Sequence, residues 1–242
     1  AWQNYKLMFK IKKKDVILHT IPNMNIEIED IVRAAAPSLA VLALEYEIAN
    51  CPTSDALWTE VEAAAADIRS RFAIDQINKR PAIAATRAAY KALGKEPNRY
   101  RPAAEALCRR AVKGAGLYRV NAAVDIINIL SMLSGYSIGG FDIDRIDGPV
   151  LRLGRGQCGE PYQGIGRGDL NIEGLPVYRD ATGGIGTPTS DHERTKITES
   201  TRRLLVLTNI YGPEMPADEY EALATRLLST YCHANLISKF YT

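Results

Sequence analysis

The sequence predicts an α+β fold: a single layered domain with helices packed on a strand-rich, mostly antiparallel half. Three observations predict it. The first half holds helix-forming segments with matching start and stop residues. After Gly135 the chain breaks into short apolar runs separated by Gly and Pro. From Pro216 helical periodicity returns. No internal repeat or low-complexity linker divides the chain.

In chain order, "SLAVLALEYEIAN" alternates enough to be a strand. "TSDALWTEVEAAAADIRSRF" opens on a Ser or Asp cap and continues in strong helix formers. "PAIAATRAAYKALG" has Pro at its head and Gly at its tail, and "RPAAEALCRRAVKG" repeats that punctuation. "NAAVDIINILSMLSG" is a third such helix, with Asn121 as cap and Gly135 as stop. "SIGGFDIDRI", "PVLRLGRG", "GEPYQGIG", "LPVYRDATGG" and "RRLLVLTNIY" read as short strands. In the first of these Asp142 and Asp144 alternate with Ile143, which places both on one strand face. "PADEYEALATRLLSTYCHANLIS" reads as a closing helix.

The chain has 242 residues, enough to bury a sizeable core, and 46% of them are hydrophobic. A net charge of +2 excludes a polycation. Cys51, Cys108, Cys158 and Cys232 form no C-x-x-C pair, a pattern of reduced thiols in a cytoplasmic protein. His19, His192 and His233 are too scattered for a zinc site, so no metal or cofactor is expected. No run approaches the roughly 20 apolar residues of a membrane span. Residues 1–23 lack the apolar core of a signal peptide. They are either a strand pair or an upstream extension before a natural start at Met24, and residues 24–242 are taken as the domain.

Charge is uneven along the chain. Between Asn25 and Asp67 nine acids face only Arg33. Between Lys91 and Arg119 the bases include Arg99, Arg101, Arg109, Arg110 and Lys113, against Glu96 and Glu105. That run is either a solvated helix face or an RNA-phosphate surface. "GRGQCG" at 154–159 matches G-x-G-x-x-G, but the following "EPYQGIGRG" is a poor helix, so no dinucleotide site is expected. It reads instead as a turn between strands. P-loop, G-x-S-x-G and H-E-x-x-H patterns are absent from the sequence.

Asn121, Asp125 and Asn128 recur at i, i+4 and i+7 in a helix of Val, Ile, Leu and Met, which leads into Gly139-Gly140-Phe141-Asp142. The run "GLYRVNAAVDIIN", then Gly135, then "IGGFD" resembles the B3/B4 domain of the phenylalanyl-tRNA synthetase beta subunit. The matching positions are Arg119, Val124-Asp125, Asn128, Gly135 and Phe141-Asp142. With "VLRLGRGQCGEPY" and "TKITEST" added, the chain is more similar still to free-standing B3/B4 proteins. The resemblance covers roughly Met24 to the C-terminus and is specific from Arg119 to Asp144.

In the synthetase that domain hydrolyses tyrosine wrongly attached to the phenylalanine tRNA. The resemblance therefore implies a stand-alone editing hydrolase with aminoacylated tRNA as partner, or a non-catalytic module that binds RNA or an amino acid. Nothing here activates an amino acid, so a ligase is not expected. It implies substrate contacts at Arg119, Asn121, Asn128, Gly139, Gly140 and Asp142. Arg119 contacts either the terminal nucleotide or a local carboxylate. Asn121 reads equally as a helix cap, and Asp125 and Asn128 as structural polar groups. Glu160 is the candidate for orienting a water, against the alternative of a surface carboxylate.

An aminoacyl ester is already activated. The site need only hold it, place a water and stabilise the oxyanion. Paired glycines let backbone approach a ligand, and Gly139-Gly140 and Gly183-Gly184 are such pairs. The synthetase domain keeps an editing-pocket histidine where this chain has Gly139, so the expectation here is a wider, less polar pocket. "TSDHERTKITEST", Thr189 to Thr201, reads as a polar loop that either closes over a ligand or is plain surface.

Overall fold

The computed structural model describes residues 24–241, so the expectations for residues 1–23 lie outside the described part. The local signals of the first half are realised where the side chains supply them. Strand β1 (Asn25–Ile28) and the short helix α1 (Asp30–Ala35) precede strand β2 (Ala40–Glu47). Helix α2 (Asp55–Arg71) starts where Ser54 accepts the Leu57 N–H. Helix α3 (Pro81–Ala92) begins on Pro81. Helix α4 (Ala103–Lys113) stops at Gly114 and helix α5 (Ala122–Ser134) at Gly135, both left-handed with φ of 65° and 72°.

Then come strands β3 (Ser137–Asp142), β4 (Val150–Arg155), β5 (Gln163–Gly164), β6 (Gly168–Asp169), β7 (Pro176–Arg179), β8 (Gly184–Gly186) and β9 (Arg203–Ile210). Helix α6 (Ala217–Cys232) and strand β10 (Asn235–Tyr241) close the chain.

Two four-stranded sheets and a layer of helices make the architecture. The first sheet has the order β10-β2-β9-β3, antiparallel throughout. The second has the order β1-β4-β7-β8, with only β1 and β4 parallel. Strand periodicity decides which residues meet which layer. Leu42, Leu44 and Tyr46 of β2 and Leu204 and Val206 of β9 pack against apolar residues of α2, α4, α5 and α6. Val41, Ala43, Leu205 and Leu207 turn the other way, onto Ile26, Leu151, Leu153 and Ile185 of the second sheet. The first sheet is thus covered on both faces. Leu44 is fully buried, so Leu44→Ala is expected to cost about 2–5 kcal/mol through lost transfer energy and a cavity.

Three local readings are corrected. The closing helix does not run on to Ser238. It ends at Cys232, His233 takes a left-handed φ of 49°, and residues 235–241 pair with β2 instead. Non-local pairing overrides the weak helical pattern there. Asp142 and Asp144 do not share a strand face, because β3 ends at Asp142 and residues 143–145 form a 3-10 turn. Asp142 is buried and Asp144 exposed. Third, β1 and α1 were not foreseen: β1 exists by pairing with β4, over a hundred residues away. "GRGQCG" is a strand end and turn, as expected, with the Ile172 carbonyl packed where a Cβ on Gly156 would sit.

Candidate functional site

The polar stripe of α5 splits into two parts. Asn121 caps the helix: its Oδ1 accepts the Val124 N–H at 3.1 Å and the Asn50 amide at 3.1 Å. Asn50 in turn accepts the Ala123 N–H and donates to the Thr198 carbonyl. The Asp125 carboxylate accepts the Thr53 hydroxyl and the Val120 N–H. Burial pushes its pKa up, and those bonds and Arg119 oppose the shift. Buried polar groups satisfied this fully fix geometry. Asn128 differs: it is half-buried, and no described residue hydrogen-bonds its side chain.

The two glycines of β3 serve opposite layers. A Cβ on Gly140 would collide with Ile127 of α5 and Ile197, so this glycine lets the helix approach the sheet. A Cβ on Gly139 would lie 2.6 Å from the Phe141 ring, and one on Gly186 2.5 Å from the same ring. The space left by the missing side chain at 139 is therefore filled by Phe141. The expected widening of a pocket at Gly139 does not occur, since the aromatic ring folds back over its own strand.

Strand β3 is an edge of its sheet, so the Gly140 N–H is free to point outward. It donates to Asp191 Oδ2 at 3.1 Å. Asp191 Oδ1 accepts no hydrogen bond from any described residue. It lies 3.0 Å from the Cβ position of Gly186 and 3.5 Å from that of Gly139. The residue is half-buried, and burial lifts its pKa to about 7 against the opposing Gly140 bond.

The loop around Asp191 is held on both sides. Thr187 accepts the Thr189 and Ser190 N–H groups. The Tyr162 hydroxyl donates to the Ser190 carbonyl at 2.8 Å. His192 accepts the Arg194 N–H at Nδ1 and sets its ring edge-on to Tyr162 at 4.9 Å. Burial and then Arg194 lower the His192 pKa. Asp191 sits inside the segment expected to be a polar loop, and its partner Gly140 is 51 residues away. No local spacing could have signalled it.

The other candidates go elsewhere. Glu160 accepts both Nε and Nη2 of Arg179, at 2.7 and 2.6 Å, and the Gln157 N–H. Arg119 donates to Asp55 at 2.8 Å and lies over the Trp58 ring. Asp142 accepts the Thr201 hydroxyl and the Asp144 N–H. Gly183 donates to Asp180, while Gly184 packs on Tyr162. Thus Gly139, Gly140 and Asp191 come together, while Arg119, Glu160, Asn121 and Asp142 each engage other partners. In the basic run, Arg101 and Arg109 pair with the buried Glu105, which also binds Arg87. Arg99 lies over Tyr100, Arg110 over Tyr118, and Lys113 is exposed. Among the described residues no group of three or more His, Cys, Asp or Glu is placed to hold a metal, and no helix is long and apolar enough to cross a membrane.

Helices over two stacked sheets, with the Arg119-to-Asp142 stretch running from a capped helix into the Gly-Gly strand, make an α+β module. The family model of the B3/4 domain matches residues 85–231. That is more than half of the chain, and the protein belongs to this family. Among solved structures, it is similar to an N-terminal fragment of the phenylalanyl-tRNA synthetase beta-subunit from Pyrococcus horikoshii, at 11% identity and a TM-score of 0.44. The match covers 90% of this chain and 54% of the fragment, so the chain spans about half that fragment's length. No curated protein matches the chain.

Proposed function

We propose that the protein hydrolyses misacylated tRNA in trans, with Asp191 as the group that takes a proton from the attacking water. The observation that carries this reading is the Asp191 carboxylate. One oxygen is held by the N–H of Gly140, on the strand that carries the family resemblance, and no described residue hydrogen-bonds the other. A general base works best with a pKa near the operating pH, and burial lifts Asp191 to about 7. The ester supplies its own activation, so a carboxylate that orients and deprotonates water is enough chemistry. Such a substrate implies a cytoplasmic location.

A panel of mischarged tRNAs, including tyrosine on the phenylalanine tRNA, tests the reading. At least one should lose its amino acid faster than in buffer, and Asp191→Asn should abolish the gain. If every member decays at the buffer rate, the hydrolase reading is lost. One observation favours the alternative of a non-catalytic module binding RNA or an amino acid: Phe141 fills the space beside Gly139. That alternative predicts tRNA binding without any deacylation.

A further inference from the structure

A groove of about 480 Å³ lies between α2 and the loop that follows α4, away from Asp191 in its contacts. Trp58, Ala65, Leu117 and Gly116 line it, with Arg69 at its rim. Two arginine–aromatic stacks flank it. The Arg119 guanidinium sits 5.0 Å from the Trp58 ring centre, and the Arg110 guanidinium 4.6 Å from that of Tyr118.

The loop is built to present these groups. Gly114 and Gly116 take φ of 65° and 64°, and Arg110 donates to the Ala115 and Gly116 carbonyls. That leaves Tyr118 at 73% exposure and Val120 at 56%, the two most exposed large apolar side chains among the described residues upstream of β10. Arg110 holds the exposed Tyr118 ring in place, which leaves an aromatic surface pre-positioned for a flat ligand. Arg69, bonded to the Ala111 carbonyl, lines the groove with Glu62, while Arg110 and Lys113 sit at the end of α4 that leads into it and Arg119 pairs with Asp55. The local excess is positive.

The geometry points to this groove as a stacking site for the unpaired bases of an RNA strand. Flat aromatic and guanidinium faces accept any base, and the surrounding cations neutralise its phosphates. A duplex hides its base faces and fits the groove poorly. An acidic peptide would satisfy the cations but leave Tyr118 uncovered. The inference rests on the proposed function only in choosing RNA as the partner.

Fluorescence anisotropy of the full chain with a short single-stranded RNA, the same sequence as a duplex, and an acidic peptide of equal charge tests it. The single strand should bind best. Tyr118→Ala should weaken it about tenfold or more, Tyr118→Phe should retain it, and quenching of tryptophan emission on binding should vanish in Trp58→Phe. Tyr118 is exposed, so its loss should leave the fold intact, which circular dichroism checks. Equal affinity of Tyr118→Ala and wild type for the single strand, or equal binding of peptide and RNA, overturns the inference. Asp191→Asn should bind the single strand as wild type does, because the groove lies apart from Asp191. Wild-type protein that binds the single strand but deacylates no mischarged tRNA removes the hydrolase reading and leaves the groove standing.

Discussion

The N-terminus of α5 and the loop bearing Asp191 both place polar side chains in the protein interior, and they differ in how fully those groups are paired. Around α5, Asn121, Asn50, Asp125 and Thr53 form a closed set in which each group meets a partner. At Asp191 one carboxylate oxygen has a single donor and the other has none among the described residues. A closed network ties elements together and leaves nothing to offer a ligand. An open one stores a desolvation cost that only a ligand or water can relieve. The first region is scaffold, and the second is where the proposed hydrolysis would take place.

The sharpest way to break this contrast is Asp191→Asn. Deacylation should fall by roughly 10²–10⁴-fold, while the fold persists because the asparagine oxygen still accepts the Gly140 N–H. Single-turnover assays on the sensitive mischarged tRNA read the loss. An unchanged rate would place Asp191 with the scaffold.

The pH dependence follows from the same residue. An unfolded aspartate titrates near 3.8, and Asp191 in the folded chain near 7. Between those values the folded state holds the extra proton, so Asp191 stabilises the fold at low pH. That contribution is lost as pH rises from about 4 to about 7 and stays lost above it. Urea unfolding across this window should show Asp191→Asn with a flatter profile and a higher relative stability at pH 8. Deacylation corrected for the buffer rate should rise through pH 7, as the carboxylate ionises.

Smaller effects test the packing around the site. Gly140→Ala drives a methyl into Ile127 and Ile197 and should cost about 1–3 kcal/mol of stability. Gly139→His should also destabilise, because the Phe141 ring already occupies that space. It should not raise deacylation, and thermal melts with the same tRNA assay check both. Asn121→Ala removes the cap and one Asn50 partner. It should cost roughly 1–2 kcal/mol with activity per folded molecule unchanged. Glu160→Gln should leave deacylation unchanged, since its oxygens serve Arg179 and the Gln157 N–H.

What sequence reasoning could see was set by distance along the chain. The caps and stops of α2 to α5 were legible because Ser54, Pro81, Gly114, Asn121 and Gly135 act within a few residues of themselves. The α+β class followed from the change of texture after Gly135, but the division of the strands into two stacked sheets did not. β1 and β10 were not legible, because each is a strand by virtue of a distant partner, β4 or β2. The candidate site behaved likewise. Gly139 and Gly140 stood out by type, but Asp191 becomes notable only when β3 and the loop before β9 meet. Glu160 was singled out by its neighbours "GEPY", and its partner Arg179 was invisible at that range.

The successive glycines of β3 also bear on how the chain finds its fold. One clears a path for an aliphatic side chain of the helix layer and the next-door one for an aromatic ring in the sheet layer. A slip of β3 by one residue along β9 would send Phe141 toward Ile127 and leave a hole against Gly186. Misaligned pairings are thus penalised on both faces at once. The barest stretch of the strand works as a key with two differently cut sides, and only one alignment on β9 suits both.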